Sequence, residues 1–412
     1  MLTFERFKLK NGLTVLIHKD ITTPIVAVNI VYNVGARDED ENKTGFAHLF
    51  EHLMFGGSAN IPKYDEPLQR VGGDNNAFTS NDITNFYLTL PEVNMETAFW
   101  LESDRMKLLD FSEKSLAVQK NVVCEEFRQS YLNQPYGDAW ALLRSLAYKK
   151  HPYKWSTIGK SVKHIEDATL QDVEDFFYRF YRPNNAIMTV AGNVDSGEVM
   201  KSVEKWFGDI PAGKKYVRAL PEEPTQVKAR SKTVYKKVPY SKIYMAFHTC
   251  ARTDSEFYTV DLISDILSGG KSARLYRELV VRKKLFSSID AYITGSLDKD
   301  IFVVTGTLSD GVDIKKAEAC IYKELDKIKD KIISARELNK VKNKVEVNYE
   351  LGLTGVLNKA MFLAINELID GNKNLNKEVD CYKAVTADEI KKQANVIFRK
   401  SNCSTLYYLA KK

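Results

Sequence analysis

Two segments in the first half of the chain recur in the second half at nearly the same separation. VYNVGARDEDENKTGFAHLFEHLMFGGS is similar to MAFHTCARTDSEFYTVDLISDILSGGKS, roughly 214 residues further on. ATLQDVEDFFYRFYRPNNAIMTVAGN is similar to VTADEIKKQANVIFRKSNCSTLYYLA, with Ala168 matching Val385. Similar separations indicate an internal duplication, although any two strand and helix segments share some likeness. We therefore expect one architecture to be built twice.

The stretch 210–232 separates the two copies. Its sequence, IPAGKKYVRALPEEPTQVKARSK, collects prolines and charges without a sustained period, as linkers do. A chain of 412 residues allows two or three domains of about 150 residues each. We expect an N-terminal domain at 1–215, a linker at 216–232 and a homologous C-terminal domain at 233–412.

The chain mixes strand-like and helical segments. Runs rich in branched residues predict strands at 14–17, 25–34, 186–194, 302–308 and 405–409. Helical periodicity predicts helices at 95–108, 116–131, 170–180, 260–267 and 387–398. The mixture predicts an α+β fold of two sandwich-like domains, each with an antiparallel-rich sheet and helices packed on it.

Composition excludes several classes of protein. The 60 basic residues are interleaved with 54 acidic ones, so no basic stripe predicts nucleic-acid binding. No apolar run reaches the ~18 residues of a membrane span, and the start lacks a signal-peptide layout, so we expect a cytoplasmic protein without a membrane partner. The five cysteines are dispersed and form no CxxC pair, which favours a reducing compartment.

The segment HLFEH, from His48 to His52, carries the strongest functional signal. Residues four apart share one face of a helix, so the imidazoles of His48 and His52 can converge on one metal ion. Neutral imidazole suits zinc, and a catalytic zinc keeps one position open for water. Glu51 would then be the general base that activates this water against a carbonyl. The alternative is a pair of structural histidines.

A third ligand is expected from a carboxylate on another helix. Glu125 and Glu126, in the run VQKNVVCEEFRQSY, are the candidates. Glu126 lies one helical turn from Val122 and two turns from Gln119, which predicts that it faces inward. We therefore favour Glu126 over Glu125, the alternative being that both are solvated helix charges.

These motifs together resemble a known family. HLFEH, Glu126 and the intervening NAFTSNDITNFY resemble the pitrilysin family of inverzincin zinc peptidases, which includes insulysin and the mitochondrial processing peptidase. HPY at 151–153, Gly159 and RPNNAIMTVAGNV resemble the rest of the family's active half. The resemblance covers nearly the whole chain, whose two-repeat length is similar to that of the smaller members.

The resemblance implies a zinc endopeptidase acting on peptides or unfolded segments. The two homologous domains would form half of a clam-shell chamber, and a second chain would form the other half. By this resemblance, His48, His52 and Glu126 bind Zn²⁺ and Glu51 is the catalytic base.

The resemblance also implies a substrate-binding strand. Its residues would be Asn76, Ala77, Phe78 and Thr79, which match the edge strand along which an extended peptide adds. From the residues alone, Asn76 and Phe78 are equally compatible with a turn and a core position.

The sequence departs from the family's pattern in two respects. Gln119 stands where the family often has a glutamate, seven residues before the third ligand. A residue at this position would orient a metal ligand by contacting it without binding the metal itself. In the second half, active members commonly carry an arginine and a tyrosine seven residues apart. Here VVRKKLFS puts Val280 and Ser287 at those positions.

The missing arginine and tyrosine leave two alternatives for holding the substrate. Nearby Arg274, Tyr276, Arg282 and Tyr292 are candidate substitutes. Otherwise a homologous partner supplies the pair, in a homodimer or a heterodimer. The leading hypothesis is thus a zinc endopeptidase completed by a second subunit; a non-catalytic scaffold subunit and a peptide-binding protein without turnover are the alternatives.

The duplication makes one further prediction about the second copy. Near the places of His48, Glu51 and His52 it holds Leu262, Asp265 and Ile266. The second copy therefore lacks the histidines that a metal needs, and we expect chemistry of this kind only in the first half.

Overall fold

The computed structural model describes residues 1–411, which form two compact units. Unit 1 comprises Met1–Gln129, Trp155–Leu220 and Glu350–Asn376. Unit 2 comprises Ser130–Lys154, Pro221–Tyr349 and the chain from Lys377 onward. The predicted division into domains at 1–215 and 233–412 concerns the two homologous copies in the sequence and stays a prediction.

Eleven strands and fourteen α-helices account for most of the described residues. The strands are β1 (Glu5–Lys8), β2 (Thr14–Lys19), β3 (Ile25–Tyr32), β4 (Asp74–Thr79), β5 (Thr84–Pro91), β6 (Ala186–Gly192), β7 (Arg230–Lys236), β8 (Lys242–His248), β9 (Phe286–Ile293), β10 (Ile301–Leu308) and β11 (Cys403–Ala410). The helices are α1 (Phe46–Phe55), α2 (Asp65–Arg70), α3 (Met95–Lys107), α4 (Glu113–Phe127), α5 (Ala139–Ala147), α6 (Val162–Glu166), α7 (Leu170–Phe180), α8 (Ser196–Phe207), α9 (Phe257–Ser268), α10 (Ile314–Asp330), α11 (Ala335–Gly352), α12 (Val356–Asp370), α13 (Glu378–Ala384) and α14 (Ala387–Ile397). Two π-helical segments lie at Arg128–Asn133 and Tyr276–Arg282.

Each unit contains one mixed, mainly antiparallel sheet. The strand order is β1-β2-β6-β3-β5-β4 in unit 1 and β7-β11-β8-β10-β9 in unit 2. In both sheets one pair is parallel, β2 with β6 and β7 with β11, and the other pairs are antiparallel. Apart from the additional strand β1, the two orders are the same, which confirms the duplication and the predicted α+β fold.

The same helix-capping hydrogen bonds occur at equivalent places in the two units. Helix α7 begins with a capping box between Thr169 and Asp172, and α14 begins with one between Thr386 and Glu389. Such a box satisfies backbone N–H groups that have no partner inside the helix. These helices precede β6 and β11, so the second pair of similar segments occupies equivalent places in the two units.

One helix of each half packs on the other half's sheet. Helix α12 lies against β3, β6 and β2 of unit 1, with Ala360, Leu363 and Ala364 buried. Helix α5 lies against β11, β8 and β7 of unit 2 through buried Ala139 and Leu143. Each sheet is therefore covered by a helix that is distant in sequence. Within the described residues no helix is long and apolar enough to cross a membrane.

The core of unit 1 positions helix α1. Six of its ten residues are buried, Phe46, Ala47, Leu49, Phe50, Leu53 and Met54. All of them except Ala47 belong to the core cluster formed by one face of the sheet and its covering helices. His48, Glu51 and His52 lie on the remaining, half-buried face, because positions 48, 51, 52 and 55 share a side of the helix.

Candidate metal centre

Three polar side chains from α1 and α4 converge at one point of unit 1. The Nε2 atoms of His48 and His52 lie 3.6 and 3.3 Å from Oε2 of Glu126. The two imidazole rings are 4.8 Å apart between centroids and nearly perpendicular, at 82°. Among the described residues this trio is the cluster whose ligand atoms are close enough to hold a metal ion.

The spacing of these donor atoms fits a tetrahedral ion. Bonds of about 2.1 Å to zinc in tetrahedral geometry separate neighbouring donor atoms by about 3.4 Å. The distances of 3.6 and 3.3 Å between the imidazole nitrogens and Oε2 of Glu126 agree with this separation. Two imidazoles and one carboxylate also form the donor set of a catalytic zinc with one open position.

The electrostatics of the cluster favour the ligating forms of its members. Burial lowers the pKa of the His48 imidazole, which keeps that ring neutral near pH 7. The hydrogen bond from His52 lowers the pKa of Glu126, which keeps that carboxylate ionised. Nδ1 of His48 is buried and has no hydrogen-bond partner in the structure, whereas its Nε2 faces the cluster.

Helix α1 is held at its N-terminus by a carboxylate that the sequence argument did not identify. Gly45 caps the helix with φ of 93° and offers no side chain, so the first N–H groups need another acceptor. Glu39 supplies it: its Oε2 accepts from Gly45 N–H and its Oε1 from Ala47 N–H, both at 2.9 Å. Burial raises the pKa of Glu39 to about 8, and the two backbone donors oppose this shift. The sequence held a signal for this contact. The first turn of α1 has no acidic residue of its own, and a run of acidic residues that includes Glu39 precedes the helix.

The two candidate glutamates of α4 point in different directions. Glu126 faces the histidines of α1, whereas Glu125 points away and forms an ion pair with Arg128. The stripe of α4 that contains Glu126 does not face the core, although helical periodicity predicts an inward face for it. Val122, which shares its stripe, is 45% exposed, while Val123 and Phe127 are buried. The stripe of Glu126 borders the metal centre, not the core.

Glu51 lies beside the cluster and contacts the edge strand β4. Its Oε2 accepts a hydrogen bond of 2.6 Å from Oγ1 of Thr79. Burial raises the pKa of Glu51, while the Thr79 hydrogen bond and the neighbouring His52 act in the opposite direction. The carboxylate is thus next to the donor cluster without belonging to it.

The four residues predicted to bind substrate form the end of β4. This strand pairs with β5 on one side and is the last strand of its sheet. Its residues alternate between exposed and half-buried, with Asn76 and Phe78 exposed and Ala77 and Thr79 turned toward the body of unit 1. Asn76 and Phe78 therefore occupy strand positions at an open edge, neither in a turn nor in the core.

Gln119 lies against the C-terminal end of α1. A Cβ placed on Gly56 would approach its Nε2 to 3.0 Å, so this side chain packs over the last turn of α1. The contact links α4 to α1 one turn beyond His52. A role in orienting a ligand stays a prediction.

The corresponding helix of unit 2, α9, carries packing residues. Leu262 and Ile266 are fully buried, and Asp265 forms an ion pair with Lys344. The positions equivalent to the two histidines are therefore core positions in unit 2.

Three of the four candidates for holding substrate in unit 2 already have side-chain partners. Arg274 forms two hydrogen bonds to Glu337, of 2.8 and 2.6 Å, and Arg282 pairs with Glu278. The ring of Tyr292 stacks on Trp140, and Tyr276 begins a π-helical segment. Val280 packs on the core of unit 2, and the Ser287 hydroxyl donates to the backbone of Thr307.

Two family models match the chain. Residues 14–161 match the family described as insulinase, peptidase family M16, and residues 167–345 match the peptidase M16 inactive domain. The chain is 31% identical to the zinc protease PqqE of Helicobacter pylori, over 82% of this chain and 77% of the relative. It is 25% identical to the uncharacterized zinc protease YmxG of Bacillus subtilis, over 96% and 95% of the two chains. The beta subunit of the yeast mitochondrial-processing peptidase, from Saccharomyces cerevisiae, is 24% identical over 84% of this chain and 78% of its own.

Solved structures are similar over the whole chain. The crystal structure of a protease from Helicobacter pylori superposes with a TM-score of 0.94 at 28% identity, covering 99% of this chain and 100% of that one. Pitrilysin superposes with a TM-score of 0.82 at 19% identity, covering 99% of this chain and 45% of the pitrilysin chain, which shows the shared fold. On these matches, the chain belongs to peptidase family M16, the pitrilysin-like peptidases.

Proposed function

We propose that this chain is a zinc-dependent endopeptidase that hydrolyses peptides or unfolded segments. Zinc is held by His48, His52 and Glu126, and Glu51 is the general base. The observation that carries the proposal is the convergence of two imidazole nitrogens and one carboxylate oxygen at tetrahedral spacing, with Glu51 beside them. The names of the relatives, zinc proteases, support zinc as the metal.

Zinc and Glu51 have different roles in the proposed reaction. When bound, zinc supplies a Lewis acid that polarises the scissile carbonyl and makes water at its open position more acidic. Glu51 takes the proton from the attacking water and passes it to the leaving amine.

The peptide is proposed to bind as an additional strand on β4. The free edge of this strand offers backbone groups at Asn76, Ala77, Phe78 and Thr79, and β-augmentation gives affinity with little sequence preference. Because Thr79 contacts Glu51, a peptide on this edge passes close to the base. Exposed Val118 and Val122 extend the stripe of Glu126 and offer an apolar surface to substrate side chains.

A second subunit is proposed to complete the active site. Arg274 and Arg282 are held by Glu337 and Glu278, so neither is free to bind substrate without breaking an ion pair. The pitrilysin chain is more than twice as long as the part that this chain matches, and the yeast relative is named as a subunit. Both comparisons support an assembly larger than one such chain. The partner is further proposed to contribute the arginine and tyrosine that the family resemblance implies.

Hydrolysis of a quenched fluorescent peptide library by the zinc-loaded chain tests the proposal. Glu51→Gln should bind one zinc per chain but lose at least about 100-fold in rate, because the ligands remain while the base is lost. Glu125→Gln is the matched control, since the same substitution is made on a neighbouring carboxylate that faces away. Equal rates for Glu51→Gln and the parent would refute the assignment of the base.

The same assay tests the partner. Cleavage by the chain alone, at concentrations where sedimentation shows a monomer, would refute the need for a second subunit. Cleavage that appears only in a dimer, or only when a homologue carrying an arginine and a tyrosine seven residues apart is added, is the expected result.

A further inference from the structure

The hydrogen bond between Thr79 and Glu51 joins the edge strand to the catalytic helix. Thr79 is the last residue of β4, and its hydroxyl donates to Oε2 of Glu51 at 2.6 Å. This distance is typical of a charge-assisted bond from a hydroxyl to a carboxylate. Among residues 1–411, no other side chain donates a hydrogen bond to this carboxylate.

The donor is rigid. A tight hairpin follows Thr79, in which Ser80 N–H donates to the Ile83 carbonyl and the Ser80 hydroxyl accepts from the N–H groups of Asp82 and Ile83. Thr79 pairs with Thr84, whose buried hydroxyl donates to the Val34 carbonyl at 3.0 Å. Threonine is also β-branched, so its hydroxyl has few rotamers.

The acceptor needs such a partner. A glutamate side chain has three rotatable bonds, and the end of Glu51 is only half-buried, so packing by itself does not determine where the carboxylate points. A base must stay within hydrogen-bond reach of the proton that it removes. One oxygen of Glu51 is tied to Thr79, which leaves the other for the reacting water.

We propose that Thr79 is a positioning residue that aims Glu51 and couples the base to the substrate-binding strand. The inference rests on the proposed function, because it assigns Thr79 a task only if Glu51 acts as the base. The Thr79 side chain then fixes the position of Glu51 relative to a peptide that pairs with β4. Substrate binding and orientation of the base are thereby linked at one residue.

Three variants test this role. Thr79→Val keeps the shape of the side chain and removes the donor, whereas Thr79→Ser keeps the donor. Thr22→Val is the matched control, because the Thr22 hydroxyl also donates at 2.6 Å to a carboxylate, that of Asp20, which does not belong to the donor cluster. All three should bind one zinc per chain.

The expected result is a loss in turnover without a loss in binding. Thr79→Val should lower kcat about 10- to 100-fold and change KM less than about 2-fold, because a displaced base slows the chemical step. Thr79→Ser should recover kcat to within about 3-fold of the parent, and Thr22→Val should leave it unchanged. A rise in KM alone, equal losses in Thr79→Val and Thr79→Ser, or an unchanged kcat in Thr79→Val would each overturn the proposal.

A second measurement does not depend on activity. In the metal-free protein, the shift of the urea midpoint in the double variant Thr79→Val/Glu51→Ala should be smaller than the sum of the two single shifts, because both remove the same bond. Additive shifts would overturn the contact itself. If the parent shows no hydrolysis either alone or with a homologous partner, the proposed function fails, and this coupling still decides whether Thr79 holds Glu51.

Discussion

Lys359 donates a hydrogen bond of 2.6 Å to the Asp20 carboxylate and thereby joins the second half of the chain to the first half's sheet. Lys359 lies on α12, and Asp20 follows directly after β2, which pairs in parallel with β6. The lysine holds the pKa of Asp20 well below its ordinary range, together with the Thr22 hydroxyl. The contact is nearly buried, so it is less screened than a surface ion pair.

Replacing Lys359 by methionine is expected to lower the free energy of unfolding by about 2 kcal/mol at pH 7, since it removes a hydrogen bond to a charged group. The pKa of Asp20 is depressed in the folded state, so its contribution is present above the ordinary aspartate pKa and is lost as the pH falls through the folded value. The difference between parent and variant should therefore shrink below about pH 4. Urea unfolding at a series of pH values measures this. Lys316→Met, on an exposed position of α10, is the control.

Glu126→Gln is expected to weaken zinc binding by more than about 100-fold. Loss of a residue that only hydrogen-bonds to a metal ligand lowers metal affinity about 10- to 100-fold, and loss of a ligand itself should lower it more. Competition with a chromogenic chelator measures the affinity. Glu125→Gln should leave the affinity within about 2-fold of the parent, since Glu125 pairs with Arg128. The opposite ranking of the two variants would identify Glu125 as the ligand.

Zinc is expected to stabilise unit 1 by linkage. At a free zinc concentration of 100 times Kd, the folded state gains about 2.7 kcal/mol. Thermal unfolding should show a higher Tm with zinc than with a chelator, and His52→Ala should abolish most of this difference. A Tm that does not respond to zinc in the parent would contradict a metal site formed by His48, His52 and Glu126.

Leu262→Ala is expected to destabilise the protein by about 2–5 kcal/mol, the range for a large-to-small change in a core. Leu262 is fully buried in α9, at the position that the internal sequence comparison matches to His48 of α1. The number of zinc ions bound per folded chain should stay at one. Denaturant unfolding and metal analysis measure both quantities, and a fall in zinc content at full folding would show that unit 2 contributes to the site.

Local sequence patterns predicted much of the fold. The predicted strands at 14–17, 186–194 and 302–308 correspond to β2, β6 and β10, because runs of branched residues mark strands that are buried in the sheets. The predicted helices at 95–108 and 170–180 correspond to α3 and α7. The helix predicted at 116–131 ends at Phe127 and continues as a π-helical segment, a change of hydrogen bonding that has no simple sequence signature.

The edge strand shows the limit of such patterns. NAFT has little of the branched, alternating character that identifies a strand, and only the family resemblance predicted β4. Its place at the sheet edge depends on pairing with β5, which is a property of the folded sheet. The packing of α5 on the second sheet and of α12 on the first is likewise absent from any local pattern, because each helix is distant in sequence from the strands that it covers.

The sequence by itself determined which groups are available for chemistry. The spacing of His48 and His52 places two imidazoles on one side of any helix they form, and the second copy lacks both. The tertiary structure decided which carboxylate joins them and where the base points. Glu125 and Glu126 are adjacent in sequence, and a rotation of about 100° around α4 separates them, so the packing of α4 against α1 selects Glu126. The contact between Thr79 and Glu51 likewise requires β4 to lie against α1, since strand and helix are brought together only by the core of unit 1.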